Sequence, residues 1–406
     1  MDAKVKPAMH DKSILVCRSA ALRDDAISTV AELNSWFVNY VDSSEELLER
    51  IEQYHYDILI IGIPADAEQT VSALAEIIRL RPDAVRIVVA SNLSPTLTAR
   101  VAEVAHSCLP FDCTDVQISC AVERALKVIG LIQRPEIKRV IGGIKRLPSL
   151  PAIYEKLNQA LMSGHANAND ISEILEQDPA MAAKVLQLVN SAFFGLERQI
   201  YRLNEAVTIL GLRLIRDLAL SSHLFEALPS GYGWDSFSFE QVHQRSLLVA
   251  RLAQDISRSV GADRNAQAQA FLAGLLSDFG MLLLANHDPE GYRQVVGLSG
   301  EMQQPLYVVE KMNIGVSHAE AGAYLLGLWN LPPAVIEAVL FHHFPASSAS
   351  DEFQPLTAVH VADALLAPVS SAYDAKISSQ LALKYLERLG VEHKLNDWQA
   401  LAAKYQ

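Results

Sequence analysis

Cysteines, which zinc-knuckle and thioredoxin-like proteins need at close spacing, are scarce in this sequence. The 406 residues include only 4 cysteines (Cys17, Cys108, Cys113 and Cys120), and no two of them form a C-x-x-C pair. So few thiols in a long chain fit a reducing compartment. The first seven residues contain no apolar core, so no signal peptide is expected. These absences predict a cytoplasmic protein.

Long apolar runs and an excess of positive charge are absent as well. The longest apolar stretch, Phe271–Ala285, is interrupted by Ser277 and Asp278, whereas a membrane span needs about 20 mainly apolar residues. The chain carries 34 Lys and Arg against 47 Asp and Glu, a net charge of −13. Because an acidic surface repels nucleic acid and anionic lipid, we expect neither broad nucleic-acid binding nor membrane association.

The first 130 residues alternate short apolar runs with amphipathic stretches. The continuous runs predict buried parallel strands at Ser13–Cys17, Tyr56–Ile63, Val85–Ala90 and Ser107–Pro110. The amphipathic stretches predict helices at Ser44–Gln53, Val71–Arg81, Ser94–Ala105 and Thr114–Ile132. Such alternation with short connections is typical of an α/β doubly wound domain.

From about Leu147 onward the segments read as helices separated by helix-start and helix-stop signals. Asp170 and Glu173 fit a capping box, and Asp178 followed by Pro179 fits a helix start. Residues 133–150 are rich in proline, glycine and charge, which marks a linker. The sequence therefore predicts an α/β domain over residues 1–132, a linker over 133–150 and an all-α domain over 151–406.

The order of elements in the first domain resembles a response-regulator receiver, which implies a parallel five-stranded sheet. The resemblance lies in the pattern rather than the motifs, because Gly62 stands where receivers carry the phosphoryl-accepting aspartate. Cys17-Arg-Ser19 replaces the acidic pair that holds Mg²⁺, and the lysine before the last proline is replaced in Cys108-Leu109-Pro110-Phe111, although Ser91 keeps the hydroxyl position. An aspartyl phosphate needs a carboxylate nucleophile and a metal, so we predict a domain that cannot be phosphorylated.

The second domain resembles HDOD domains over some 250 residues. The matching segments are Leu147–Tyr154, Ile174–Met181, Val189–Gly195, Ala206–Leu212, Phe271–Gly280, His318–Ala323, Trp329–Pro332, His342-His343 and His360–Ala364. HDOD domains are helical relatives of HD-type metal-dependent phosphohydrolases and occur largely in bacterial signalling proteins. The resemblance implies an HD-like fold that acts as an output or interaction module.

The positions of an HD-type metal site have changed at the two residues nearest the expected metal. The first histidine position is Arg245, and the His-Asp pair reads Ser277-Asp278. Arginine is a fixed cation that repels metals, and serine is a poor ligand. His243 lies about 200° away around the helix, so it does not substitute. The vestigial set is Arg245, Ser277, Asp278, His318, His342, His343 and Asp363, and we predict no catalytic residue, no metal and no cofactor.

The remaining acidic and histidine side chains allow other interpretations. Any residual metal would be held by Asp278, His318, His342, His343 and Asp363, with His360 nearby. Asp278 is alternatively a helix cap or the ion-pair partner of Arg245, and the ion pair is preferred. His343 fits a hydrogen-bonded core histidine, and His342 fits a contact with backbone or solvent.

These features favour a non-enzymatic signal-transduction output protein that acts on a protein partner, as a monomer or a homodimer. One alternative is a metal-dependent phosphohydrolase or cyclic-dinucleotide phosphodiesterase with a weakened HD site. Another is a nucleotide-binding sensor, which the cationic side chains of Arg198, Arg202, Arg213 and Arg216 favour. Surface salt bridges are the simpler explanation of those arginines.

Overall fold

A five-stranded parallel sheet is formed by the first part of the chain, and a long series of helices follows it. The structure is a computed structural model. It describes residues 13–18, 36–63, 76–77, 79–81, 84–90, 97–98, 101, 105–111, 113–131, 147–149, 151–163, 165–190, 194, 196, 198–220, 225–227, 238–329, 331–348, 350–366 and 379–405.

The sheet is parallel throughout, with the strand order β2-β1-β3-β4-β5. Its strands are β1 (Ser13–Cys17), β2 (Phe37–Val41), β3 (Ile58–Ile63), β4 (Val85–Ala90) and β5 (Ser107–Pro110). This order is that of flavodoxin-like doubly wound domains. Every residue of β1, β3 and β4 is buried, as expected for strands that are covered on both faces. The expected five-stranded parallel sheet is thus confirmed.

The predicted strands agree closely with the observed ones, but β2 was not predicted. It is an edge strand whose first four residues are only half-buried, so its apolar pattern is weak. The predicted helices at Ser44–Gln53 and Thr114–Ile132 are observed as α1 (Ser44–Gln53) and α2 (Asp115–Leu131). The predicted helices over 71–81 and 94–105 lie largely outside the described residues, as do Ser91 and most of the expected linker.

The second part of the chain is mostly helical. Its helices are α3 (Pro151–Ser163), α4 (Ala168–Leu175), α5 (Pro179–Val189), α6 (Leu203–Leu220), α7 (Phe239–Ser259), α8 (Arg264–Leu276), α9 (Phe279–His287), α10 (Pro289–Met302), α11 (Leu306–Asn313), α12 (His318–Leu328), α13 (Pro333–Phe341), α14 (Pro355–Leu365), α15 (Leu383–Arg388) and α16 (Leu395–Ala402). Short 3₁₀ turns occupy Pro345–Ser347 and Glu392–Lys394.

Side-chain caps explain where several of these helices begin. Asp178 caps α5 by accepting hydrogen bonds from the N–H groups of Ala180 and Met181, as its sequence predicted. The capping box predicted at Asp170 and Glu173 is wrong by three residues. The observed box joins Asn167 and Asp170 at the start of α4, because an asparagine side chain caps as well as an aspartate.

Two short strands lie in the second part, which was expected to be all-α. β6 (Leu147–Ser149) pairs in parallel with β7 (Phe225–Ala227). Strands of three residues leave too short a periodic signal to be read from sequence. They form a minor element beside the helices.

The hydrophobic core is continuous between the sheet and the helices. Ile14, Ile58 and Ile87 on one face of the sheet belong to the same buried cluster as the helical core. The Gln187 side chain on α5 donates hydrogen bonds to the carbonyl oxygens of Ala105 and His106, at 3.0 Å and 3.4 Å. Direct packing therefore joins the two parts.

One stretch, Arg264–His287, is long and apolar enough by composition to cross a membrane. It comprises α8 and α9, and 89% of its most apolar window is buried inside the protein. The core helices of a globular protein have the same composition, because a helix that is buried on all sides is apolar on all sides.

Candidate functional site

A buried polar cluster lies where six helices of the second part meet. It is formed by the seven vestigial positions of the sequence analysis. Arg245 lies on α7 and Asp363 on α14, His318 is the first residue of α12, Ser277 and Asp278 lie between α8 and α9, and His342 and His343 follow α13. All seven side chains are at least 93% buried. The structure thus brings together the whole set that the sequence singled out.

Close contact between α9 and α12 places Asp278 beside His318. A methyl group on Gly280 would overlap the carbonyl oxygen of His318, and one on Gly322 would crowd the backbone of Gly280. Because both positions are glycine, the two backbones touch where α9 and α12 begin. The Oδ1 atom of Asp278 consequently lies 3.6 Å from Nε2 of His318.

The guanidinium of Arg245 is bound mainly to Asp363. Its Nη1 atom lies 2.6 Å from Oδ1 of Asp363, and its Nη2 donates to the Asp363 carbonyl oxygen at 2.8 Å. The expected ion pair of Arg245 with Asp278 is also present, but it is looser, since Oδ2 of Asp278 is 3.8 Å from Nη1, too far for a hydrogen bond. Although burial favours the protonated acid, Arg245 lowers the pKa of Asp363 to about 2. The tight ion pair is therefore Arg245–Asp363.

Asp278 is a buried carboxylate without a hydrogen-bond partner. Neither of its oxygens accepts a hydrogen bond within the described part of the chain. It stands at the N-cap position, directly before α9, but its side chain makes no capping bond, so the alternative role of helix cap is wrong. Burial, reinforced by the negative charge of Asp363, raises the pKa of Asp278 to about 6. Such a group lacks the hydrogen bonds that buried carboxylates normally have.

His318 is oriented by a second buried carboxylate. Its Nδ1–H and its backbone N–H both donate to Oε2 of Glu310, each at 2.7 Å. The hydroxyl of Tyr292 donates to the other oxygen of Glu310, also at 2.7 Å. Burial alone would lower the pKa of His318, but the Glu310 carboxylate raises it above its ordinary value. Because Nδ1 carries the proton, the Nε2 atom of neutral His318 presents a lone pair.

The other two histidines are also held by hydrogen bonds from Nδ1. Nδ1–H of His342 donates to the carbonyl oxygen of Val339 at 2.8 Å. The hydroxyl of Ser379 donates to the His342 carbonyl oxygen at 3.2 Å and shares a hydrogen bond of 2.8 Å with Nδ1 of His343. Burial lowers the pKa of His342 to about 4 and that of His343 well below its ordinary value. Both rings are therefore neutral at pH 7, and Nε2 of His342 carries a lone pair.

The three Nε2 atoms converge on one point beside Asp278. Those of His318 and His343 are 2.9 Å apart, and that of His342 lies 3.9 Å from Oδ1 of Asp278. The three histidines offer ligand atoms that all lie within 4.8 Å of one another. Nε2 of His342 has no hydrogen-bond partner among the described residues. A tetrahedral zinc site places neighbouring ligand atoms about 3.3 Å apart, so these four side chains have the spacing of a metal site.

Several nearby polar residues have structural roles. Ser277 donates its hydroxyl to the carbonyl oxygen of Gly274 at 3.0 Å. His360 donates from Nδ1 to the His342 carbonyl oxygen at 2.7 Å and accepts from the N–H of Ala382 at 3.0 Å. His343, expected to be a core histidine, is hydrogen-bonded and buried. Of the two contacts expected for His342, backbone or solvent, the backbone contact is observed, with the carbonyl oxygen of Val339, and the side chain is fully buried.

Sequence reasoning did not identify Glu310, Tyr292 or Ser379. Glu310 stands in an ordinary amphipathic pattern eight residues before His318, and only the turn between α11 and α12 brings the two together. Ser379 lies 16 residues beyond Asp363 yet donates its N–H to that carboxylate at 2.6 Å. One signal was available. A glutamate on the buried side of a helix needs a partner.

A cavity of about 450 Å³ lies between α4, α6, α7, α8 and the C-terminal residues. Its walls include aromatic rings and two arginines, contributed by Tyr201, Arg202, Arg251, Phe271 and Tyr405. Arg198 and Arg202 form salt bridges with Glu205, as the simpler explanation of the arginines expected. The side chains of Arg213 and Arg216 lie outside the described residues.

At the sheet, the described residues at the carboxyl ends of the strands include few polar groups. Gly62 is buried in β3 and pairs with Val89. Cys17 ends β1, where its thiol is buried, and burial raises its pKa to about 11. Arg18 follows and lies 3.6 Å from Asp42. The predicted positions therefore lie at the expected edge, without a carboxylate at the place of Gly62.

Comparison with known families identifies the helical part. Residues 147–345 match the model of the HDOD domain family, so this part of the chain is an HDOD domain, a signalling-type domain. A curated protein of Treponema pallidum with no assigned function is 29% identical over 213 residues. The match covers 52% of this chain and 40% of the relative, so it spans about two fifths of that protein's length.

Two solved structures are similar over the same part. The MmoQ response regulator of Methylococcus capsulatus is 25% identical, with a TM-score of 0.47 over 63% of this chain and 98% of its own. A virulence factor of Campylobacter jejuni is 18% identical, with a TM-score of 0.50 over 66% of this chain and 96% of its own. The second similarity indicates a shared fold.

Proposed function

We propose that the chain is a non-enzymatic output protein of a signalling pathway, in which the HDOD domain acts by binding a protein partner. The observation that carries this proposal is the buried Arg245–Asp363 ion pair, which lies within the cluster of residues at the HD-type positions. Arginine stays charged at every relevant pH. Its fixed positive charge takes the place that a second metal ion and its activated water would need for hydrolysis.

Burial supports the same proposal. His318 and His342 are fully buried, Asp278 and Asp363 are at most 2% exposed, and His343 is 7% exposed. A phosphodiester would have to reach the metal-bound nucleophile, and of these side chains only His343 is exposed by more than 2%. A catalytic metal site keeps an open coordination position facing the substrate, and the packing around this cluster favours a structural role.

The sheet supports a regulatory role without phosphorylation. We propose that it is a receiver-like domain, on the strength of its strand order and element spacing. Gly62 at the acceptor position offers no nucleophile, and Cys17 and Arg18 offer no oxygen ligands for Mg²⁺. Its continuous core with the helices suits a docking or scaffolding part. A reducing, cytoplasmic setting remains the prediction from the scarcity of cysteine.

Turnover of a phosphodiester tests this proposal. The full chain, supplied in turn with Zn²⁺, Mn²⁺ and Fe²⁺, is incubated with bis(4-nitrophenyl) phosphate, and release of nitrophenolate is followed. We expect the same rate as for the His342→Ala variant, which lacks a central side chain of the cluster. A wild-type rate at least about tenfold higher, lost in that variant, would identify an enzyme and contradict the proposal.

A nucleotide sensor is the second candidate, favoured by the cavity of about 450 Å³. Arg251 lines it without a salt bridge or hydrogen bond among the described residues, while Tyr201 and Phe271 offer rings for stacking on a base. A ligand at 100 times its Kd stabilises a protein by about 2.7 kcal/mol. Thermal unfolding with ATP, GTP and cyclic diguanylate would show this stabilisation in the wild type and its loss in Arg251→Ala.

A further inference from the structure

The three histidines of the cluster cannot be satisfied by their neighbours alone. Nδ1 of His318 donates to Glu310 and Nδ1 of His342 donates to the Val339 carbonyl oxygen, so Nε2 of each presents a lone pair when the ring is neutral. Nδ1 of His343 lies 2.8 Å from the Ser379 hydroxyl, which can donate or accept. Nε2 of His343 is 2.9 Å from Nε2 of His318, so a proton or another cation must lie between these two atoms.

One shared proton does not complete the cluster. A proton between His318 and His343 would leave Nε2 of His342 and both oxygens of Asp278 without partners among the described residues. All of these atoms are buried, and an unpaired buried polar atom costs about 1–3 kcal/mol, with more for a charged one. A single cation bound by all four side chains would satisfy every one of them.

Formal charge indicates a divalent cation. Among the described residues, the cluster and its immediate partners contain three buried carboxylates, Asp278, Asp363 and Glu310, and one buried guanidinium, Arg245. A histidine must be neutral to act as a metal ligand, so in the metal-binding state these four groups sum to −2. Buried charges are normally paired or bound to metals, and one divalent ion brings the sum to zero. Arg245 neutralises Asp363, which leaves Asp278 to the ion.

We propose that His318, His342, His343 and Asp278 bind one structural zinc ion, with Arg245 and Asp363 as a fixed ion pair beside it. Three imidazoles and a carboxylate are ligands that zinc accepts in tetrahedral geometry. The carboxylate of Glu310 on Nδ1 of His318 is the arrangement that orients metal-binding histidines. His343 lines a pocket of about 330 Å³ with Tyr307 and Phe344, which gives an ion a path from solvent.

This proposal is independent of the proposed function. All four coordination positions belong to the protein, which is the arrangement of structural rather than catalytic zinc. The proposed site differs from the HD-type pattern, because Arg245 and Ser277 stand at two positions where that pattern has histidines. The ion would tie α9, α12 and the segment after α13 together, and hydrolysis is not required of it.

Zinc content of the full chain tests the proposal. Protein stripped with a chelator is incubated with excess Zn²⁺, desalted and measured by elemental analysis. We expect about one equivalent per chain, and at least a tenfold loss of zinc affinity in Asp278→Asn and in His342→Ala. His243→Ala is the matched control, since His243 is a buried histidine outside the cluster, and it should retain the zinc.

Co²⁺ gives a second readout that needs no variant. Bound to the wild type, Co²⁺ should show the intense visible absorption of a four-coordinate ion with nitrogen and oxygen ligands, and Zn²⁺ should abolish it. Zinc should also raise the midpoint of thermal unfolding, as a ligand specific to the folded state does. Less than about a tenth of an equivalent in the wild type, or equal zinc in Asp278→Asn and the wild type, would overturn the proposal.

Discussion

The sheet edge and the helical cluster differ in what stands at the positions where we propose that a reactive group has been replaced. At the sheet edge Gly62 has no side chain, so that position holds no polar side-chain atom. In the cluster Arg245 supplies a cation within 2.6 Å of Asp363. A glycine leaves no charge to compensate. A buried carboxylate needs a positive partner, so Asp363 depends on Arg245.

The largest expected effect is on the charge balance of the cluster. Arg245→Met keeps the length of the side chain but leaves Asp363 without its cation, and breaking a buried ion pair costs about 3–5 kcal/mol. Urea denaturation of the full chain measures the loss. Arg258→Met, at an exposed pair with Asp255, is the matched control and should cost less than about 0.5 kcal/mol. Equal stability of the two variants would mean that the cluster does not depend on Arg245.

A smaller effect is expected where Tyr292 contacts Glu310. Tyr292→Phe removes the hydroxyl that donates to a fully buried carboxylate at 2.7 Å, and a hydrogen bond to a charged group contributes about 1.5–3 kcal/mol. Tyr405→Phe removes a bond of the same length to Asp255 near the surface and should cost less than about 1 kcal/mol. Denaturation midpoints of the two variants compare buried with exposed bonds directly, and a reversed order would refute the difference.

Acid should weaken the contact between the two regions through His106. Burial, and secondarily the positive charge of Arg86, lowers the pKa of His106 well below its ordinary value. The unfolded chain therefore binds a proton at His106 that the folded chain excludes. The contribution of neutral His106 to the free energy of unfolding is complete above the unfolded pKa of about 6.5 and declines as the pH falls. Between pH 7 and pH 5.5 the loss is about 1 kcal/mol.

The pH dependence of unfolding for His106→Gln isolates that contribution. Other buried histidines also disfavour acid, so only the difference between the wild type and the variant is informative. We expect the variant to lose less stability on acidification, while exchange of the exposed His165 for glutamine leaves the wild-type slope. If the free energy of unfolding depended on pH equally in all three proteins, protonation of His106 would not destabilise the folded chain.

The smallest effect is expected at the sheet edge, where an acyl phosphate donor should change nothing. Acetyl phosphate with Mg²⁺ should leave the intact mass of the full chain unaltered, because Gly62 cannot be phosphorylated. Beryllium fluoride with Mg²⁺ should likewise not shift the unfolding temperature. A stable phosphate adduct on another residue would show that the edge has kept a phosphorylation site in a different place.

Much of the fold could be predicted because apolar periodicity is local. Strands β1, β4 and β5 are observed at the predicted residues, since strands buried on both faces have continuous apolar runs. The half-buried edge strand β2 and the three-residue strands β6 and β7 lack that signal.

The candidate site could be predicted only in part. Its seven residues were predicted from the resemblance to an HD-type site, and the structure brings all seven together. The partners that orient them were not predictable, because Glu310 and Ser379 reach the cluster through tertiary contacts. The predicted ion pair of Arg245 with Asp278 is present at 3.8 Å, but the tighter pair with Asp363 was not predicted, for the same reason. Which of two buried carboxylates lies closer depends on how α7 packs against α14, and no local pattern encodes that distance.

A single-turnover experiment tests the central claim, that this HDOD domain signals without catalysis. Full-length chain in excess over radiolabelled cyclic diguanylate is incubated for hours with Zn²⁺ or Mn²⁺, and the products are separated by chromatography. The account predicts that the substrate is recovered intact, as it is with His342→Ala. Linear dinucleotide or mononucleotide formed by the wild type but not by His342→Ala would contradict it.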